Sequence, residues 1–506
     1  MNAQSFSVAM SIDVDAMLAR HLLRKDHQED ICFGLWYPST GGSRATALMH
    51  SAILPREGER YVHGTASFSS AYFQRALLEA AQAKAGLALL HSHPHGSGWQ
   101  RMSDDDVAAE FGHAASVWGA TNFPLVGLTL AGDRTWSARF WQRTAPRQFQ
   151  RNWCKNVRVV GNGLLLSYDE KLLPAPAARH EQLRTVSTWG EESQRHLVRV
   201  KVGVVGAGSV GGMVAEALAR TGFIDVTLID FDDIKRHNLD RLVYASERDI
   251  GSQKGETLAR RLQQVATASP FAVQPFDASV CDEEGLMAAL DCDVLFSCVD
   301  RPRGRHVLNA LAYAHLIPVV DGGISVRNNR SGRLTAADWR AHIAAPGKPC
   351  LHCLGQYLAS DVALEREGLL DDPHYIEGLP KDHHLKASEN VFAFSMACGS
   401  MQMLQFLAMV VAPLGRSDMG AQLYHFVGGF MENGISEACH QECLMQSVIA
   451  IGDRHPIPVD APRQRKEVQS GTTQTEKPRG LRRTVGRMAA YAVALMTQRF
   501  LHRSGR

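Results

Sequence analysis

The chain has 506 residues, of which 45% are apolar and 21% charged, and its formal net charge is +2. This length predicts two or three domains, and the composition excludes a wholly disordered, collagen-like or many-pass membrane protein. We find no uninterrupted apolar run long enough for a membrane helix and no secretion-signal pattern, which favours a cytoplasmic protein. Ten cysteines are too few for a disulfide scaffold, and some have metal-ligand spacing, which favours a reducing compartment.

The charge is unevenly distributed along the sequence. Residues 462–506 carry eleven Lys/Arg against two Asp/Glu, so the rest is mildly acidic and nucleic acid is not an expected partner. Four segments are predicted: a mixed domain over 1–145, a connector over 146–180 with one strand near Val157–Val160, an alternating strand–helix domain over 181–461, and a basic tail over 462–506. Alternation of strands and helices predicts a parallel sheet. The tail is either disordered or, over 481–502, a basic helix for an acidic partner or an anionic membrane.

Two histidines, His91 and His93, follow a strand predicted over the apolar residues 86–90. Alternate residues of a strand face the same side, so both imidazoles can point at one metal ion. Imidazole suits zinc, and a carboxylate as third ligand with water in the fourth position makes an open catalytic site. A nearby glutamate can then serve as general base. A histidine pair alone is more often a surface or core pair without metal, so the surrounding residues decide.

The surrounding sequence is His91-Ser-His-Pro, a Gly-rich loop, and then Ser103-Asp-Asp-Asp106. Over about residues 10–140 it resembles the JAMM metalloproteases, zinc isopeptidases that include deubiquitinating enzymes. The resemblance implies a cytidine-deaminase-like α/β domain in which zinc is catalytic. The residues it assigns are His91, His93 and Asp106 as zinc ligands, Ser103 as the group that steadies the oxyanion, and Glu29 as the base.

Two assignments within this resemblance stay open. Asp104 and Asp105 compete with Asp106 for the metal, and Asp30 competes with Glu29 for the role of base. The loop between the histidines and the serine is also two residues longer than is usual in the family. Geometry has to decide both assignments.

A second motif begins at a strand predicted over 200–205, which runs into Gly206-Ala-Gly208-Ser-Val-Gly211 and a helix over 210–220. The glycines allow a tight turn and close backbone approach, and the helix N-terminus can receive a phosphate. A further strand over 226–229 ends in Asp230, which is placed to bond a ribose hydroxyl. This fingerprint predicts a nucleotide site, but by itself it does not separate NAD from ATP.

The motifs that follow are Asp230-Phe-Asp232, Asn238-Leu-Asp-Arg241, Gly251-Ser-Gln-Lys254 and Cys298-Val-Asp300. Together with an entry segment containing Arg184, they are similar to the ubiquitin-activating and ThiF-type adenylyltransferases over about residues 181–455. The resemblance implies a Rossmann-like, doubly wound domain. It also implies an activity, the adenylation of the C-terminal carboxylate of a small ubiquitin-like protein with ATP and Mg²⁺.

The family pattern assigns a role to each motif. Arg241 and Lys254 would neutralise the phosphates, Asp300 would hold magnesium, and Asn238 would bond the phosphates or the ribose. Arg184 corresponds to an arginine that reaches the neighbouring subunit's ATP site, which implies a homodimer. The remaining nucleotide-binding residues are Gly206, Gly208, Gly211, Asp230 and Asp232.

Two cysteine pairs occur late in the chain. Cys350 and Cys353 form a CxxC knuckle, and Cys439 and Cys443 form a CxxxC pair. Four thiolates make a closed structural zinc site, whereas free buried cysteines or a redox pair are the alternatives. The same family often carries two such pairs, although the second is one residue wider here.

Many activating enzymes transfer the adenylated carboxyl to their own cysteine, but no cysteine lies between Cys353 and Cys398. Cys398 stands in an apolar helical run and is predicted to be core. We therefore expect the carboxyl to pass directly to a conjugating-enzyme-like partner with its own cysteine.

The two halves together favour a bacterial ubiquitin-like conjugation system, of a kind often linked to phage defence, in which one chain both activates and releases the modifier. Three alternatives remain. They are an adenylyltransferase for a sulfur-carrier protein in cofactor biosynthesis, an NAD-binding oxidoreductase fused to a hydrolase, and a non-catalytic scaffold.

Overall fold

A computed structural model describes residues 4–63, 65–329, 331–379, 389–434 and 439–460. Its N-terminal half consists of one large sheet and a separate sheet of two strands, with helices packed beside them. The elements are β1 (Ser5–Ser11), α1 (Ile12–Leu22), β2 (Ile31–Thr40), β3 (Arg44–Ile53), β4 (Arg60–His63), β5 (Thr65–Phe68), α2 (Ser70–Ala83), β6 (Gly86–His93), α3 (Asp104–Thr121), β7 (Leu125–Ala131), β8 (Trp136–Ala145), β9 (Gln148–Trp153), β10 (Asn156–Val160) and β11 (Leu164–Tyr168).

The nine strands of this sheet lie in the order β11-β10-β1-β3-β2-β6-β7-β8-β9. Strand β6 lies in the interior of the sheet, antiparallel to β2 and parallel to β7, and five of the seven residues before His93 are apolar or glycine. Two core clusters pack on opposite faces, one around Leu18, Leu90 and Trp136 and the other around Phe33, Tyr72 and Leu89. The histidine pair is therefore carried on a strand whose position is fixed from both faces.

The segment expected to be a connector over 146–180 differs from that expectation. Residues 148–168 form three strands, and β10 pairs in parallel with β1 from Ser7 to Ser11. The sequence of β9 is polar because its residues are only partly covered, so periodicity did not identify it as a strand. The proline-rich residues between 172 and a short 3₁₀ turn at His180–Gln182 have no regular secondary structure.

The C-terminal half alternates strands and helices. The elements are α4 (Leu183–Trp189), α5 (Glu191–Leu197), β12 (Val202–Val205), α6 (Ser209–Thr221), β13 (Asp225–Ile229), α7 (Lys254–Val265), β14 (Ala272–Phe276), α8 (Glu283–Leu290), β15 (Val294–Ser297), α9 (Pro302–Ala314), β16 (Val319–Asn328), β17 (Leu334–Ala344), α10 (Ala359–Arg366), α11 (Pro373–Gly378), α12 (Phe392–Val411), β18 (Ala421–His425), β19 (Phe430–Gly434) and α13 (Leu444–Ser447).

Its sheet has the order β14-β13-β12-β15-β16-β17-β18-β19. The first five strands are parallel and the last three are antiparallel. The predicted Rossmann-like α/β arrangement is confirmed, and the order reverses between β12 and β15. In open sheets of this kind, ligands bind outside the carboxyl ends of the strands at such a reversal. The Gly-rich turn that follows β12 lies at this point.

A buried polar seam joins the two halves. The Asp293 carboxylate accepts hydrogen bonds from Arg44 at 2.5 Å, Arg158 at 2.7 Å and the Asn156 amide at 3.2 Å. Beside it, Asp291 accepts from the Ser43 hydroxyl at 2.6 Å. Buried charges are tolerated when they are paired in this way, so the seam fixes one half against the other.

One described helix, α12, is long and apolar enough to cross a membrane by length and composition, and 61% of its most apolar window is buried inside the protein. It packs against α6, β16 and β17, and it carries the fully buried Cys398, as expected of a core cysteine. The helix predicted over 481–502 lies outside the described residues.

Candidate functional site

The side chains of His91, His93 and Asp106 converge at the carboxyl end of β6. The two imidazole Nε2 atoms lie 3.2 Å apart, and the Asp106 carboxylate oxygens lie 3.5 Å from His91 Nε2 and 3.7 Å from His93 Nε2. All three ligand atoms lie within 4.8 Å of one another. Two imidazoles and one carboxylate at this separation match the donor set of an open zinc site.

The charges around these side chains suit metal binding. Burial, together with the nearby Arg139 guanidinium, lowers the pKa of His91 to about 3, so its imidazole is neutral at physiological pH. Burial would raise the pKa of Asp106, but the interactions with His93, His91 and the Ser103 amide outweigh it and lower the pKa, so the carboxylate is ionised. Asp106 in turn raises the pKa of His93, so a metal ion that binds there would displace a proton. A neutral imidazole and an ionised carboxylate are the forms that coordinate a metal.

The start of α3 positions the acidic ligand. Ser103 is the N-cap, its Oγ accepts a hydrogen bond from the Asp106 amide at 3.1 Å, and its own amide donates to the Asp106 carboxylate at 2.9 Å. This capping box fixes Asp106 toward the histidines, whereas Asp104 and Asp105 are exposed to solvent. The hydroxyl proton of Ser103 is not used in the cap.

The two candidate bases have different surroundings. The pKa of Glu29 is raised because the side chain is partly buried, and the charges of His93 and Asp106 act on it. The Asp30 carboxylate is buried and forms ion pairs with Arg24 at 3.4 Å and with Arg60. Asp30 is therefore held by two arginines, and Glu29 is the carboxyl group electrostatically coupled to the cluster.

Several supporting residues were not anticipated from the sequence. Gln100 Oε1 lies 3.3 Å from His93 Nδ1, and the Thr129 hydroxyl lies 3.3 Å from His91 Nε2 and accepts from Arg139 at 2.6 Å. Arg139 is in turn paired with the buried Glu110. Glu110 lies four residues after Asp106, on the same face of α3, and that spacing is the signal that sequence reasoning overlooked.

The Gly-rich turn lies at the start of α6. Gly206 has φ +93°, and a Cβ on Gly211 would lie 1.8 Å from the Gly206 carbonyl oxygen, so both positions require glycine. Gly208 is the N-cap of the 13-residue helix α6. The amides of its first turn face the crevice where a phosphate can bind.

A charged group lies beside the turn. Asp230 accepts hydrogen bonds from the Ala207 amide at 2.6 Å and from the Asp232 amide at 2.8 Å. The Lys254 ammonium donates to the Asp232 carboxylate at 2.7 Å from the first residue of α7. Burial raises the pKa of Asp230 to about 6, although the charge of Lys254 opposes the shift.

The loop between β13 and α7 closes over the turn through Tyr244, whose hydroxyl donates to the Ala207 carbonyl at 2.5 Å. On this loop Asn238 is buried and accepts from the Lys235 amide, while Arg241 pairs with Asp240 at 2.8 Å. Arg241 therefore forms its contacts within its own loop.

Asp300 is exposed and follows β15. Two residues before it, the Cys298 amide donates to the Val205 carbonyl at 2.9 Å, and the Cys298 carbonyl lies 2.5 Å from where a Cβ on Gly206 would stand. The segment carrying Asp300 therefore contacts the Gly-rich turn on the side opposite Asp230.

Arg184 lies on α4, and its side chain is exposed. The neighbouring α5 is tied to the end of α6 by Gln194, which donates to the Thr221 carbonyl at 2.7 Å. Helix α6 spans 13 residues, or about 20 Å, so the segment carrying Arg184 lies a helix length away from the Gly-rich turn.

The four sulfur atoms of Cys350, Cys353, Cys439 and Cys443 lie within 4.8 Å of one another. Cys350 Sγ is 3.7 Å from Cys443 Sγ, and the Cys350 amide donates to Cys439 Sγ at 3.2 Å. Amide-to-sulfur hydrogen bonds of this kind accompany thiolate coordination. The extra residue in the second pair therefore does not prevent the four sulfurs from converging.

Comparison with known proteins agrees with this geometry. The ThiF family matches residues 180–439. The molybdopterin-synthase adenylyltransferase of Escherichia coli is 28% identical over 165 residues, covering 33% of this chain and 62% of the relative. The SAMP-activating enzyme E1 of Haloferax volcanii is 28% identical over 33% of this chain and 57% of its own length. The tRNA threonylcarbamoyladenosine dehydratase of E. coli is 31% identical over 28% of this chain and 52% of the relative.

The chain thus spans between half and two thirds of the length of these curated relatives. Among solved structures, E. coli MccB with ATP superposes with a TM-score of 0.41 at 19% identity, covering 54% of this chain and 76% of that chain. The family match, by contrast, extends over more than half of the sequence and contains every nucleotide-site residue described above. The chain therefore belongs to the ThiF family.

Proposed function

We propose that the C-terminal half adenylates the C-terminal carboxylate of a ubiquitin-like protein. The observation that carries this proposal is the charged set beside the Gly-rich turn, in which Lys254, Asp232 and Asp230 are linked within hydrogen-bond distance. The names of two relatives, an adenylyltransferase and an activating enzyme, support the same reaction. Family membership also favours adenylation over the NAD-dependent alternative.

In this reaction a carboxylate oxygen forms a bond to the α-phosphorus of ATP. The bond from that phosphorus to the bridging oxygen breaks, and pyrophosphate leaves. The first-turn amides of α6 would hold the phosphates, and Lys254 and Arg241 would balance the charge that develops on them. For this, each cation must exchange its carboxylate partner, Asp232 or Asp240, for phosphate.

The chemistry of the donor set fits a magnesium ion. Mg²⁺ prefers a few carboxylate oxygens with the rest supplied by water and phosphate, and Asp300 is an exposed carboxylate at the mouth of the crevice. When bound, the ion would neutralise phosphate charge. Asp230, which already accepts two amides, would orient the ribose through its remaining lone pairs.

We propose that the N-terminal half is a JAMM-type zinc isopeptidase acting on the same modifier. The support is the convergence of His91, His93 and Asp106 within 4.8 Å, with a neutral His91 and an ionised Asp106. When bound, zinc would lower the pKa of a water molecule and polarise the scissile carbonyl.

The chain's own residues supply the other steps of hydrolysis. Glu29, with its raised pKa, would take a proton from the attacking water and give it to the departing amine as the C–N bond breaks. Ser103 would donate its free hydroxyl proton to the oxygen of the tetrahedral intermediate, because its acceptor role is already used in the helix cap.

We propose that the four cysteines hold a structural zinc ion and that the chain works as a homodimer. The position of Arg184, exposed and a helix length from its own Gly-rich turn, supports a role in the partner's ATP site rather than in its own. Because no cysteine lies between Cys353 and Cys398, a separate conjugating protein would receive the activated carboxyl on its own cysteine. We place this reaction in a bacterial ubiquitin-like conjugation system.

The test combines pyrophosphate exchange with mass spectrometry of a candidate ubiquitin-like protein extended at its C-terminus. With ATP and Mg²⁺ we expect exchange only after the extension is removed, and we expect removal to require zinc. Asp300→Ala should abolish exchange and leave trimming intact. His91→Ala should abolish trimming, and with it exchange on the extended protein, but should keep exchange on a modifier supplied without the extension. Exchange without any trimming by the wild type would leave an adenylyltransferase alone and refute the isopeptidase proposal.

Activation of a sulfur-carrier protein is the second candidate. The match to proteins named adenylyltransferase and sulfurtransferase favours it, as does the molybdopterin-synthase enzyme. The adenylation step is the same, so the acceptor separates the two. Transfer of the activated carboxyl group to a sulfur donor would give a thiocarboxylate, which is about 16 Da heavier because sulfur replaces oxygen. Detection of this product would select the alternative.

A further inference from the structure

A cavity of about 340 Å³ opens beside the loop that precedes α3. Neither proposed reaction uses it, and its volume is in the range of sites that hold a side chain or a small ligand. The residues used in the argument are Arg101, Met102, Arg151, Trp153, Asp169 and Lys171.

The cavity lies close to the candidate zinc ligands. Met102 directly precedes Ser103, whose capping box orients Asp106. Four residues span at most about 14 Å, so the cavity is within reach of a peptide whose scissile bond lies at the histidine pair. Its opposite wall is built by β9 and by the residues after β11, which lie beyond the part of the chain that resembles JAMM proteases.

The walls are held together by an ion pair whose carboxylate is buried. Arg101 donates to the two oxygens of Asp169 at 3.0 and 2.7 Å, and Asp169 is fully buried. The Arg101 guanidinium also lies 4.8 Å above the Trp153 ring. This bidentate pair anchors the loop that carries the zinc-ligating helix to the added strands.

The cavity carries positive charge beyond this pair. The guanidinium of Arg151 stacks 5.4 Å from Trp153 and donates to the Met102 sulfur at 3.4 Å. Among the residues that the structure describes, no carboxylate forms an ion pair with Arg151 or with the Lys171 side chain. Stacking fixes the arginine without neutralising it, so the cavity presents two cations beside an apolar wall.

We propose that this cavity is a specificity subsite that binds an acidic side chain, Asp or Glu, of the peptide substrate within about four residues of the scissile bond. The inference rests on the proposed isopeptidase function. Arg151 would form the bidentate contact with the carboxylate, Lys171 would add a second charge, and Trp153 would pack on the methylene groups of the substrate.

The test uses peptides that carry one Glu, Gln or Lys at each of four positions on either side of the cleaved bond. Wild type should cleave the best Glu peptide about tenfold faster in kcat/KM than its Gln counterpart, as expected for one partly buried charge pair. The double variant Arg151→Glu/Lys171→Glu should prefer the Lys peptide instead. A disturbed fold would lower all three rates and would not invert the preference.

Lys84→Glu is the matched control. Lys84 is exposed and lies just before the start of β6, whereas His93 lies at the end of that strand. Binding of the same peptides, labelled and followed by fluorescence anisotropy, separates the two proposals. If no peptide is cleaved but the Glu peptide binds selectively through Arg151, only the isopeptidase proposal fails. Equal binding of Glu, Gln and Lys peptides, or displacement of the Glu peptide by 5′-AMP better than by free glutamate, would overturn the subsite.

Discussion

The two candidate centres are built in different ways. The metal centre takes its three ligand atoms from one strand end and the first turn of one helix, all within 16 residues, and they already lie within 4.8 Å of one another. The nucleotide centre takes its residues from the ends of β12, β13 and β15 and from the start of α7. Its cations, Lys254 and Arg241, are paired with carboxylates of their own loops.

The difference teaches what each centre depends on. The first is organised before any ligand arrives, since buried strands and a capping box fix its side chains. The second has a fixed backbone turn but side chains that must exchange partners when the nucleotide binds. Removal of one metal-binding side chain should therefore abolish the activity of the first centre. Single substitutions in the second centre should reduce its activity by graded amounts.

The sharpest challenge to this comparison is His91→Ala. The wild type should hold two zinc ions per chain, and the variant should hold one and lose peptidase activity below detection, because two remaining ligands cannot retain a catalytic zinc. Metal analysis and peptide cleavage measure both effects. Cys350→Ala is the reciprocal control and should keep the peptidase zinc. A His91→Ala chain that still binds two zinc ions would show that the histidine cluster is not a metal centre.

The next prediction concerns the seam that holds both centres in one unit. Asp293→Ala leaves Arg44 and Arg158 buried without their carboxylate and should lower the free energy of unfolding by about 3–5 kcal/mol, measured as the shift of the urea transition. Zinc at the histidine cluster should be retained under native conditions, since no ligand lies on the seam.

The control for that variant is the exposed pair Arg236–Glu247, whose side chains are 77% and 76% accessible. Glu247→Ala should change the free energy of unfolding by less than about 1 kcal/mol. If Asp293→Ala were equally mild, the two halves would not be joined through this carboxylate.

Sequence reasoning anticipated those parts of the molecule whose signals are local. The parallel sheet, the strand before the histidines and the helix after Gly208 follow from short apolar runs and glycine spacing, and all are present. The choice of Asp106 over its two neighbours could not be made from sequence, because it depends on which residue of the first helical turn closes the capping box. The same holds for Glu29 and Asp30, because the sequence does not show that Arg24 and Arg60 both reach the Asp30 carboxylate.

What the sequence did not reveal depends on long-range pairing. Strand β10 was predicted near Val157–Val160, but β9 and β11 are recognisable only once β10 is placed beside β1. No local feature of the sequence identifies Arg44 and Arg158 as the partners of Asp293. The long loop before Ser103 forms a contact that the sequence did not predict. That contact, Arg101 with Asp169, depends on the segment that had been taken for a connector.

A graded loss is expected at the second centre. Lys254→Ala should reduce pyrophosphate exchange about 10²- to 10³-fold, the usual cost of removing one preorganised charge donor, without changing zinc content. Arg248→Ala is a matched control, because it removes an exposed cation from the same connection between β13 and α7. If the exchange rate of Lys254→Ala stayed within about threefold of the wild-type rate, this lysine would not contact phosphate.

The smallest expected effect is a pH dependence that belongs to the nucleotide centre. Burial raises the pKa of Asp230 to about 6, with Lys254 opposing the shift. Below that pH the carboxyl gains a proton and becomes a weaker acceptor for the Ala207 amide, so ATP affinity should fall about tenfold between pH 7 and pH 5. Fluorescent ATP titration measures this change, and Asp230→Asn should give affinities that vary much less over the same range.

Stability should move in the opposite direction to affinity. Because the pKa of Asp230 is higher in the folded chain than the ordinary value of 3.8, the folded state binds more protons than the unfolded state between pH 4 and 6. The contribution of Asp230 to the free energy of unfolding therefore declines as pH rises through this window, while ATP binding improves. Parallel changes in affinity and unfolding temperature would instead indicate general acid unfolding, and the difference between wild type and Asp230→Asn isolates the contribution of this one carboxyl group.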